Sequence, residues 1–198
     1  MIDDLSQFTD EDIAGMAQRG SMACFEELVR RYQTPLMGFL TRRFCANRHD
    51  AEDVIQEVFF KAHRHLHRYS QQWKFKTWIF TLAHRESISQ GRKGRKTAAM
   101  PQDLPGRVPP PDTMLSRKEA SEQLWSRVRM VLSDKQFTMV WLYYVEGMSL
   151  TEIAVITGGT TISVAVMLHR CRGRLHTQVD LSDHRPYNNR SHHEIPKN

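Results

Sequence analysis

The sequence predicts an all-α fold of two small helical domains joined by a proline-rich linker. Apolar residues recur at every third or fourth position along most of the chain, which is the period of amphipathic helices. The sequence lacks the alternation typical of strands and the turn signals typical of hairpins. Residues 97–115 are rich in proline and have no such period, which indicates a linker.

The first domain is predicted to span residues 1–96 and to begin with an acidic helix from Asp10 to Arg19. Ser21, whose hydroxyl is suited to accept a backbone hydrogen bond, is expected to cap the next helix. Pro35 should kink or restart that helix, giving a further segment from Pro35 to Phe44.

Two longer helices are expected to complete the first domain. After a turn at Asn47–His49, Asp50 caps a helix that reaches about Tyr69 and carries an apolar stripe. Thr77 caps the last helix, which ends near Lys93.

The second domain is predicted to span residues 116–181, before a disordered tail at residues 182–198. In a capping box, a hydroxyl and the side chain three residues later each bond the other's backbone N–H group. Three such boxes mark helix starts: Ser116 with Glu119, Ser133 with Gln136, and Ser149 with Glu152.

The last two helices have the lengths of a helix-turn-helix, with Leu150–Ile156 first, a glycine pair at the break, and Thr161–Val179 second. One face of the second helix is expected to be buried: Val164, Leu168, Cys171 and Leu175. The other face carries Ile162, Ser163, Ala165, Val166, Met167, His169, Arg170, Arg172 and Arg174. The arginines suit DNA phosphates, and the alternative is a helical hairpin whose basic end is merely solvated.

Charge is distributed unevenly along the chain, and the sequence pI is about 9.4. Residues 61–100 contain ten lysines and arginines against one acid, whereas residues 1–60 contain six against eleven acids. A basic stretch indicates an anionic partner, and an acidic stretch indicates a partner of another kind.

Several classes of protein are not expected. The apolar runs are too short for a membrane span, and the acidic N-terminus is unlike a signal peptide, so we expect a cytoplasmic protein without membrane insertion. Three cysteines without paired spacing (Cys24, Cys45 and Cys171) predict neither disulfides nor a zinc site. No cofactor or metal is expected, since His63 and His67 share a helix face without an evident third ligand.

The basic stretch interleaves cations with aromatic rings, a mixture that suits unpaired bases, because rings stack on bases while cations follow phosphates. Its aromatic members are Tyr69, Trp73, Phe75, Trp78 and Phe80, and its cations include Lys74, Lys76, Arg85, Arg92 and Lys93. The alternative is that the rings belong to the core. We expect this for Trp78, four residues before Leu82, whereas Trp73 follows two glutamines and should be exposed.

Four carboxylates occupy the start of the third helix: Asp50, Glu52, Asp53 and Glu57. The helix dipole favours acids in the first turn, which accounts for Asp50 and Asp53 but not for Glu57. A metal-dependent nuclease would also cluster carboxylates, but these lie in the least basic part of the sequence. A face that docks on another protein is the better interpretation, and no catalytic constellation is predicted.

Three segments together resemble an extracytoplasmic-function (ECF) sigma factor of bacterial RNA polymerase: DAEDVIQEVFFKAHRHL (Asp50–Leu66), FKTWIFTLAHR (Phe75–Arg85) and EGMSLTEIAVITG (Glu146–Gly158). The resemblance covers both domains in order around the linker. It implies a promoter-specificity subunit without chemistry of its own, with core polymerase and promoter DNA as partners and an anti-sigma protein as a further candidate. A stand-alone helix-turn-helix regulator is the alternative.

The resemblance also implies roles for three sets of residues. The core-polymerase-binding set is Asp50, Asp53, Gln56, Glu57, Phe60 and Lys61. The set that opens and binds the minus-ten element is Tyr69, Trp73, Lys74, Lys76, His84, Arg85, Arg92 and Lys93. The set that reads the upstream duplex is Ser163, Ala165, Val166, Met167, His169, Arg170, Arg172 and Arg174.

The reading helix departs from the family pattern. Where a Gly-Thr-Val-Lys-Ser-Arg run is common, this chain has Ile162–Met167, without either cation. A bidentate contact to a base contributes about 1–3 kcal/mol of discrimination between bases. Without the two cations, this chain lacks two side chains that could make such contacts. We expect the upstream element to be read weakly or through thymine methyl groups, unless this face covers another protein. Thr81 and His84 also stand where a basic residue is usual.

Overall fold

The computed structural model describes residues 5–44, 48–97 and 117–178. These ranges form eight α-helices: α1 (Asp10–Gln18), α2 (Met22–Phe44), α3 (Arg48–His65), α4 (Phe75–Thr97), α5 (Arg117–Val131), α6 (Asp134–Tyr144), α7 (Leu150–Thr157) and α8 (Thr161–Gln178). Short 3-10 helices lie at Leu5–Gln7 and Leu66–Arg68. The described ranges contain no strand, and the all-α prediction is confirmed.

Helices α1 to α4 form the first group, packed around fully buried apolar side chains. The rings of Phe39 from α2 and Phe80 from α4 lie 5.7 Å apart at its centre. The stripe predicted for α3 faces this core, since Val54, Val58 and Ala62 are all buried.

Helix α2 continues through Pro35, so the predicted separate segment from Pro35 to Phe44 is wrong. Proline inside a helix costs about 3 kcal/mol. The residues that follow it, Leu36, Phe39 and Leu40, are completely buried. Burial of each such side chain contributes about 1.5–3 kcal/mol, so packing outweighs the cost of the proline.

Two predicted caps in the first group are wrong. Helix α3 already begins at Arg48, so Asp50 lies inside its first turn, and of the predicted turn at Asn47–His49 only the last two residues lie within the described range. Helix α4 begins at Phe75, which places Thr77 inside the helix. The Phe75 N–H group donates instead to Glu11 Oε1 of α1 at 2.8 Å. A partner distant in sequence therefore replaces the local cap.

Helices α5 to α8 form the second group. The capping boxes of Ser133 with Gln136 and of Ser149 with Glu152 are both present. The predicted box of Ser116 with Glu119 lies outside the described side chains. Gly158, with φ 67°, ends α7 in the left-handed conformation that glycine tolerates best.

Helices α7 and α8 make an angle of 101°, as the predicted helix-turn-helix requires. The predicted stripe faces inward, with Val164, Leu168 and Cys171 buried and Leu175 packed against them. Taken singly, none of the described helices has the length and hydropathy of a membrane span. Helices α7 and α8 reach that length and hydropathy only when the bent pair is counted as one segment.

The two groups pack directly on each other, α4 against α7 and α2 against α5 and α6. At this contact the Arg42 guanidinium lies 5.4 Å from the ring centre of Trp141, beside Gly38. Apart from Thr97, which ends α4, the linker and the tail predicted from the sequence lie outside the described residues. Their proposed bounds, 97–115 and 182–198, remain predictions, as do the domain bounds 1–96 and 116–181.

The left-handed Gly158 predicts opposite effects for two alanine substitutions. Gly158→Ala should lower the free energy of unfolding by about 1 kcal/mol, because a Cβ is disfavoured at φ 67° even though no atom lies within 4 Å. Gly173→Ala, in the exposed interior of α8, should raise it by about 0.5–1 kcal/mol. Urea unfolding of both variants measures the difference, and equal effects would contradict the left-handed conformation of Gly158.

Candidate nucleic-acid and protein interfaces

A cavity of about 290 Å³ lies between the loop after α3, the start of α4 and one residue of α7. It is lined by Arg68, Tyr69, Ser70, Trp73, Thr77, Trp78, Thr81, Leu82, Arg85 and Val155. Most of this lining comes from the basic, aromatic stretch that the sequence predicts to bind unpaired bases. The cavity therefore offers an aromatic and cationic surface to a planar, anionic ligand.

The aromatic residues of this stretch divide into a buried base and an exposed rim. Trp73 is 53% exposed, and Trp78 packs against the core, as predicted for both. Tyr69, predicted to contact DNA, is buried against the rings of Phe75 and Trp78, at 5.4 and 5.5 Å. Its hydroxyl donates to the Trp73 carbonyl oxygen at 2.6 Å, and burial raises its pKa. Tyr69 thus holds the loop that presents Trp73 and also lines the cavity, and its role as a DNA contact stays a prediction.

His84 also differs from its predicted role. It is buried, and its Nδ1 has no hydrogen-bond partner within the described part of the chain. Burial, aided by the guanidinium groups of Arg43 and Arg85, lowers the pKa of His84 from 6.5 to about 4. In this arrangement His84 is a neutral packing residue, not a cation that faces DNA. Arg85, the next residue, is exposed at the cavity.

Two of the predicted DNA-binding lysines contact the second group of helices. Lys76 Nζ donates to the backbone oxygen of Glu146 at 2.7 Å and lies 3.0 Å from its Oε2. Lys74 Nζ lies 3.2 Å from Glu152 Oε1, which also accepts from the Thr77 hydroxyl at 3.2 Å. Of the last two predicted cations, Arg92 and Lys93, the structure describes only the backbone.

Glu152 has two roles at this contact. Burial works to raise its pKa, but hydrogen bonds from Ser149 and the ion pair with Lys74 outweigh that effect and the pKa is lowered. Its Oε2 accepts from the Ser149 N–H group at 2.8 Å, which closes the capping box of α7. The remaining oxygen, Oε1, is the atom that reaches α4.

The predicted polymerase-binding residues lie along the outer side of α3. Asp50, Asp53, Gln56 and Phe60 are exposed at spacings of three or four, and Phe60 is 62% exposed. Such spacing places them on one helix face, opposite the buried stripe. Aromatic residues such as this exposed phenylalanine are enriched where proteins dock on one another.

Glu57 and Lys61 lie at the edge of that face and are half-buried. Lys61 Nζ lies 2.7 Å from a Glu86 oxygen of α4 and 3.1 Å from a Glu57 oxygen. The hydrogen bond that Lys61 donates to Glu86, followed by that to Glu57, raises the pKa of Lys61 despite its partial desolvation. Lys61 therefore ties α3 to α4, which the sequence did not predict.

The predicted reading face of α8 divides into three parts. Thr160 caps α8 by accepting from the Ser163 N–H group, and the Ser163 hydroxyl accepts in return from the Thr160 N–H group. Met167 is half-buried, and the Gln136 amide contacts its sulfur at 3.6 Å. Ile162 and Val166 project outward, 77% and 45% exposed.

The cations follow in the next turns of α8. His169 and Arg170 are exposed. Arg172 donates to the Tyr144 hydroxyl, and Arg174 donates to Gln136 Oε1 at 3.4 Å. Within the ranges that the structure describes, no three histidine, cysteine or acidic side chains are grouped so that they could hold a metal.

Sequence reasoning missed three features of these interfaces: the lining role of Arg68, the wall formed by Val155, and the reach of Glu146 and Glu152 to α4. Arg68 carried a usable signal, because it is a cation directly before the aromatic run. The other three residues depend on how two distant segments pack, and nothing local indicates that.

Two family models match the chain, one described as Sigma-70 region 2 over residues 28–97 and one as Sigma-70, region 4 over residues 130–175. Together they cover more than half of the sequence, one in each group of helices. The ECF RNA polymerase sigma-E factor of Haemophilus influenzae is 26% identical over 185 residues, 87% of this chain and 96% of that protein. The ECF RNA polymerase sigma factor SigW of Bacillus subtilis is 27% identical over 175 residues, 82% and 92% of the two chains.

Two solved structures share the fold. CnrH, in complex with the cytosolic domain of CnrY, has a TM-score of 0.64 at 22% identity and covers 86% of this chain and 97% of its own. RpoE from Bartonella quintana, in complex with the anti-sigma factor NepR, has a TM-score of 0.64 at 22% identity, covering 79% and 98%. At this identity the likeness concerns the fold alone.

The buried His84 predicts a loss of stability in mild acid. The pKa of the His84 ring is about 4 in the folded chain and 6.5 in the unfolded chain. Between these values only the unfolded chain binds the extra proton, so the free energy of unfolding falls as the pH falls. From about pH 7.5 to about pH 5 this term lowers the free energy of unfolding by about 2 kcal/mol. His84→Leu should remove the term in urea unfolding, while the exposed His67→Gln should retain it. An unchanged pH dependence in His84→Leu would show that the ring does not titrate in this way.

Proposed function

The chain belongs to the ECF sigma factors, which bind core RNA polymerase and direct it to promoters, and we propose that its three exposed surfaces divide this work. The outer face of α3 docks on core polymerase, the cavity beside α4 takes an unpaired base of the minus-ten element, and α8 reads the upstream duplex. In this role the protein acts in the cytoplasm and has no catalytic activity of its own.

The observation that carries the proposal is the outer face of α3. Asp50, Asp53 and Gln56 accompany an exposed Phe60 on a helix whose other side is fully packed. A stand-alone helix-turn-helix regulator has no use for such a face, and the family match accounts for it. The polymerase clamp helices are its proposed partner.

The cavity beside α4 supports the second role. Trp73 provides an exposed ring on which a base can stack, a contact of about 1–3 kcal/mol, and Arg68 and Arg85 provide charge for the adjoining phosphates. RpoE, a protein of similar fold bound to the anti-sigma factor NepR, also makes an anti-sigma protein a candidate partner of this chain.

Core binding is tested through Phe60. Phe60→Ala should weaken the affinity for core polymerase about tenfold or more, as expected for an aromatic anchor that contributes 1.4 kcal/mol or more. The matched control is Met130→Ala, which removes a side chain that is 78% exposed on α5. Titration of each labelled variant with core enzyme measures its affinity. If Phe60→Ala and Met130→Ala bind core enzyme equally well, the outer face of α3 is not the docking face.

The reading helix supports a specific mode of duplex recognition. Ile162 and Val166 lie one turn apart, both exposed, and α8 contains no acidic residue from Thr161 to Gln178. Arg170 and its neighbours provide charge for the phosphates on either side. Apolar side chains in a major groove meet the thymine methyl, the one apolar group at its base edges. We therefore propose that Ile162 and Val166 read thymines of the upstream element.

Thymine readout is tested by removing methyl groups from the DNA. Holoenzyme should first select thymines at one or two upstream positions from a randomised promoter pool. Uracil at those positions removes only the methyl group, and should weaken binding about fourfold per contact, from about 0.8 kcal/mol per methyl buried. The Ile162→Ala, Val166→Ala double variant should lose this sensitivity, while uracil in the spacer serves as the control. Equal binding of thymine and uracil DNA by the unsubstituted protein would refute methyl readout.

A further inference from the structure

We propose that Gln18 and Glu11 of α1 hold the base-binding loop, residues 66–74 between α3 and α4, in the shape that captures an unpaired base. This inference rests on the proposed function, because it assumes that the cavity beside α4 takes a base. It adds two positioning residues that act through the loop and not by touching DNA. Helix α1 precedes residues 28–97, which the region 2 family model matches, so that match assigns the helix no role.

Gln18 holds the beginning of the base-binding loop. Its Nε2 donates to the backbone oxygens of Leu66 and Tyr69, each at 2.8 Å. These two oxygens lie at the two ends of the 3-10 turn Leu66–Arg68, of which Tyr69 is the C-cap. A single amide group therefore fixes the turn that carries Arg68, a cation of the cavity lining.

Glu11 holds the end of the base-binding loop. Its Oε1 accepts from the Phe75 N–H group at 2.8 Å, and its backbone oxygen accepts from Gln71 Nε2 at 3.1 Å. The Gln71 amide crosses α1 at Gly15, where an added Cβ would collide with it. The absence of a side chain at Gly15 thus leaves room for the second bond.

Helix α1 is itself fixed to α2, which makes it a firm support for the loop. Asp10 accepts from the Arg31 guanidinium at 2.7 Å and from the Tyr32 hydroxyl. Burial, aided by the bond to Asp10, raises the pKa of Tyr32, so its hydroxyl stays protonated as the donor. Ile13 and Ala14 of α1 are completely buried.

The base-binding loop turns different groups towards α1 and towards the cavity. Apart from the Gln71 amide, the loop atoms bonded to α1 are backbone oxygens, whereas the side chains of Arg68, Ser70 and Trp73 line the cavity. The Tyr69 hydroxyl adds a bond to the Trp73 carbonyl oxygen. A loop that is ordered before the base arrives loses little conformational freedom on binding, which raises its affinity.

Gln18→Met tests the first anchor, because methionine is unbranched and of similar length but donates no hydrogen bond. The matched control is Gln7→Met, at an exposed glutamine whose amide contacts the adjacent Ser6. Holoenzyme made with each full-length variant is titrated with a labelled single strand that the unsubstituted holoenzyme selects from a randomised pool. Gln18→Met should weaken binding about fivefold, if the loop then keeps its binding shape about a fifth of the time, and Gln7→Met by less than about twofold.

A second background separates positioning from a general structural role. Arg68→Ala, Trp73→Ala removes the two side chains that the loop presents and keeps the carbonyl oxygen that Tyr69 bonds. If Gln18 acts through these side chains, Gln18→Met should weaken strand binding by less than about twofold in this background. The affinity of Gln18→Met for core polymerase should be unchanged, since the outer face of α3 is not part of the loop.

Paired substitutions of Glu11 test the second anchor. Glu11→Gln keeps an oxygen that can accept from the Phe75 N–H group, and should bind the strand as tightly as the unsubstituted protein. Glu11→Leu removes the acceptor and should weaken binding about fivefold, for the same reason as Gln18→Met. Equal weakening by both substitutions would assign the effect to the lost charge and contradict positioning.

Two further outcomes would overturn the proposal. One is unchanged strand affinity in Gln18→Met. The other is equal weakening by Gln18→Met with and without the Arg68 and Trp73 side chains, which general destabilisation would produce. Failure of the proposed function is distinguishable, because Arg68→Ala, Trp73→Ala would then bind the strand as tightly as the unsubstituted protein, and positioning would fall with it.

Discussion

The first turn of α4 is the constraint on which the rest of the structure depends. Its backbone N–H groups have no partners inside the helix, and the side chains of Phe75 and Thr77 are buried. Glu11 satisfies Phe75 from one side, while Glu146 and Glu152 reach Lys76 and Thr77 from the other. A single turn of helix thus gathers α1, the loop before α7 and α7 itself, beside the cavity that Val155 of α7 helps to line.

The helical fold was predictable because its signals are local. The capping boxes at Ser133 and Ser149 need only a partner three residues away, and both are present. The caps expected at Asp50 and Thr77 are wrong, because the choice between neighbouring start positions depends on tertiary partners such as Glu11. Pro35 illustrates the same limit, since burial of the residues after it overrides a local rule.

The interfaces were predictable only to the level of segments. Polarity of the surrounding sequence correctly separated the exposed Trp73 from the packed Trp78. It could not separate Tyr69 and His84, buried by contacts across helices, from residues that face outward. The roles assigned to individual residues on α3, α4 and α8 remain proposals, because exposure makes a contact available without naming its partner.

The bridge made by Lys61 has a mechanical consequence. Lys61 lies at the edge of the docking face of α3, and Glu86, its partner at 2.7 Å, directly follows the cavity residue Arg85 on α4. The two helices are also joined by their packed core, so α3 and the cavity beside α4 should move as one unit. Under the proposed function, the orientation of α3 on core polymerase would then set where the unpaired strand is held, and the distance from that anchor to the point of strand separation would be a fixed length of the assembly.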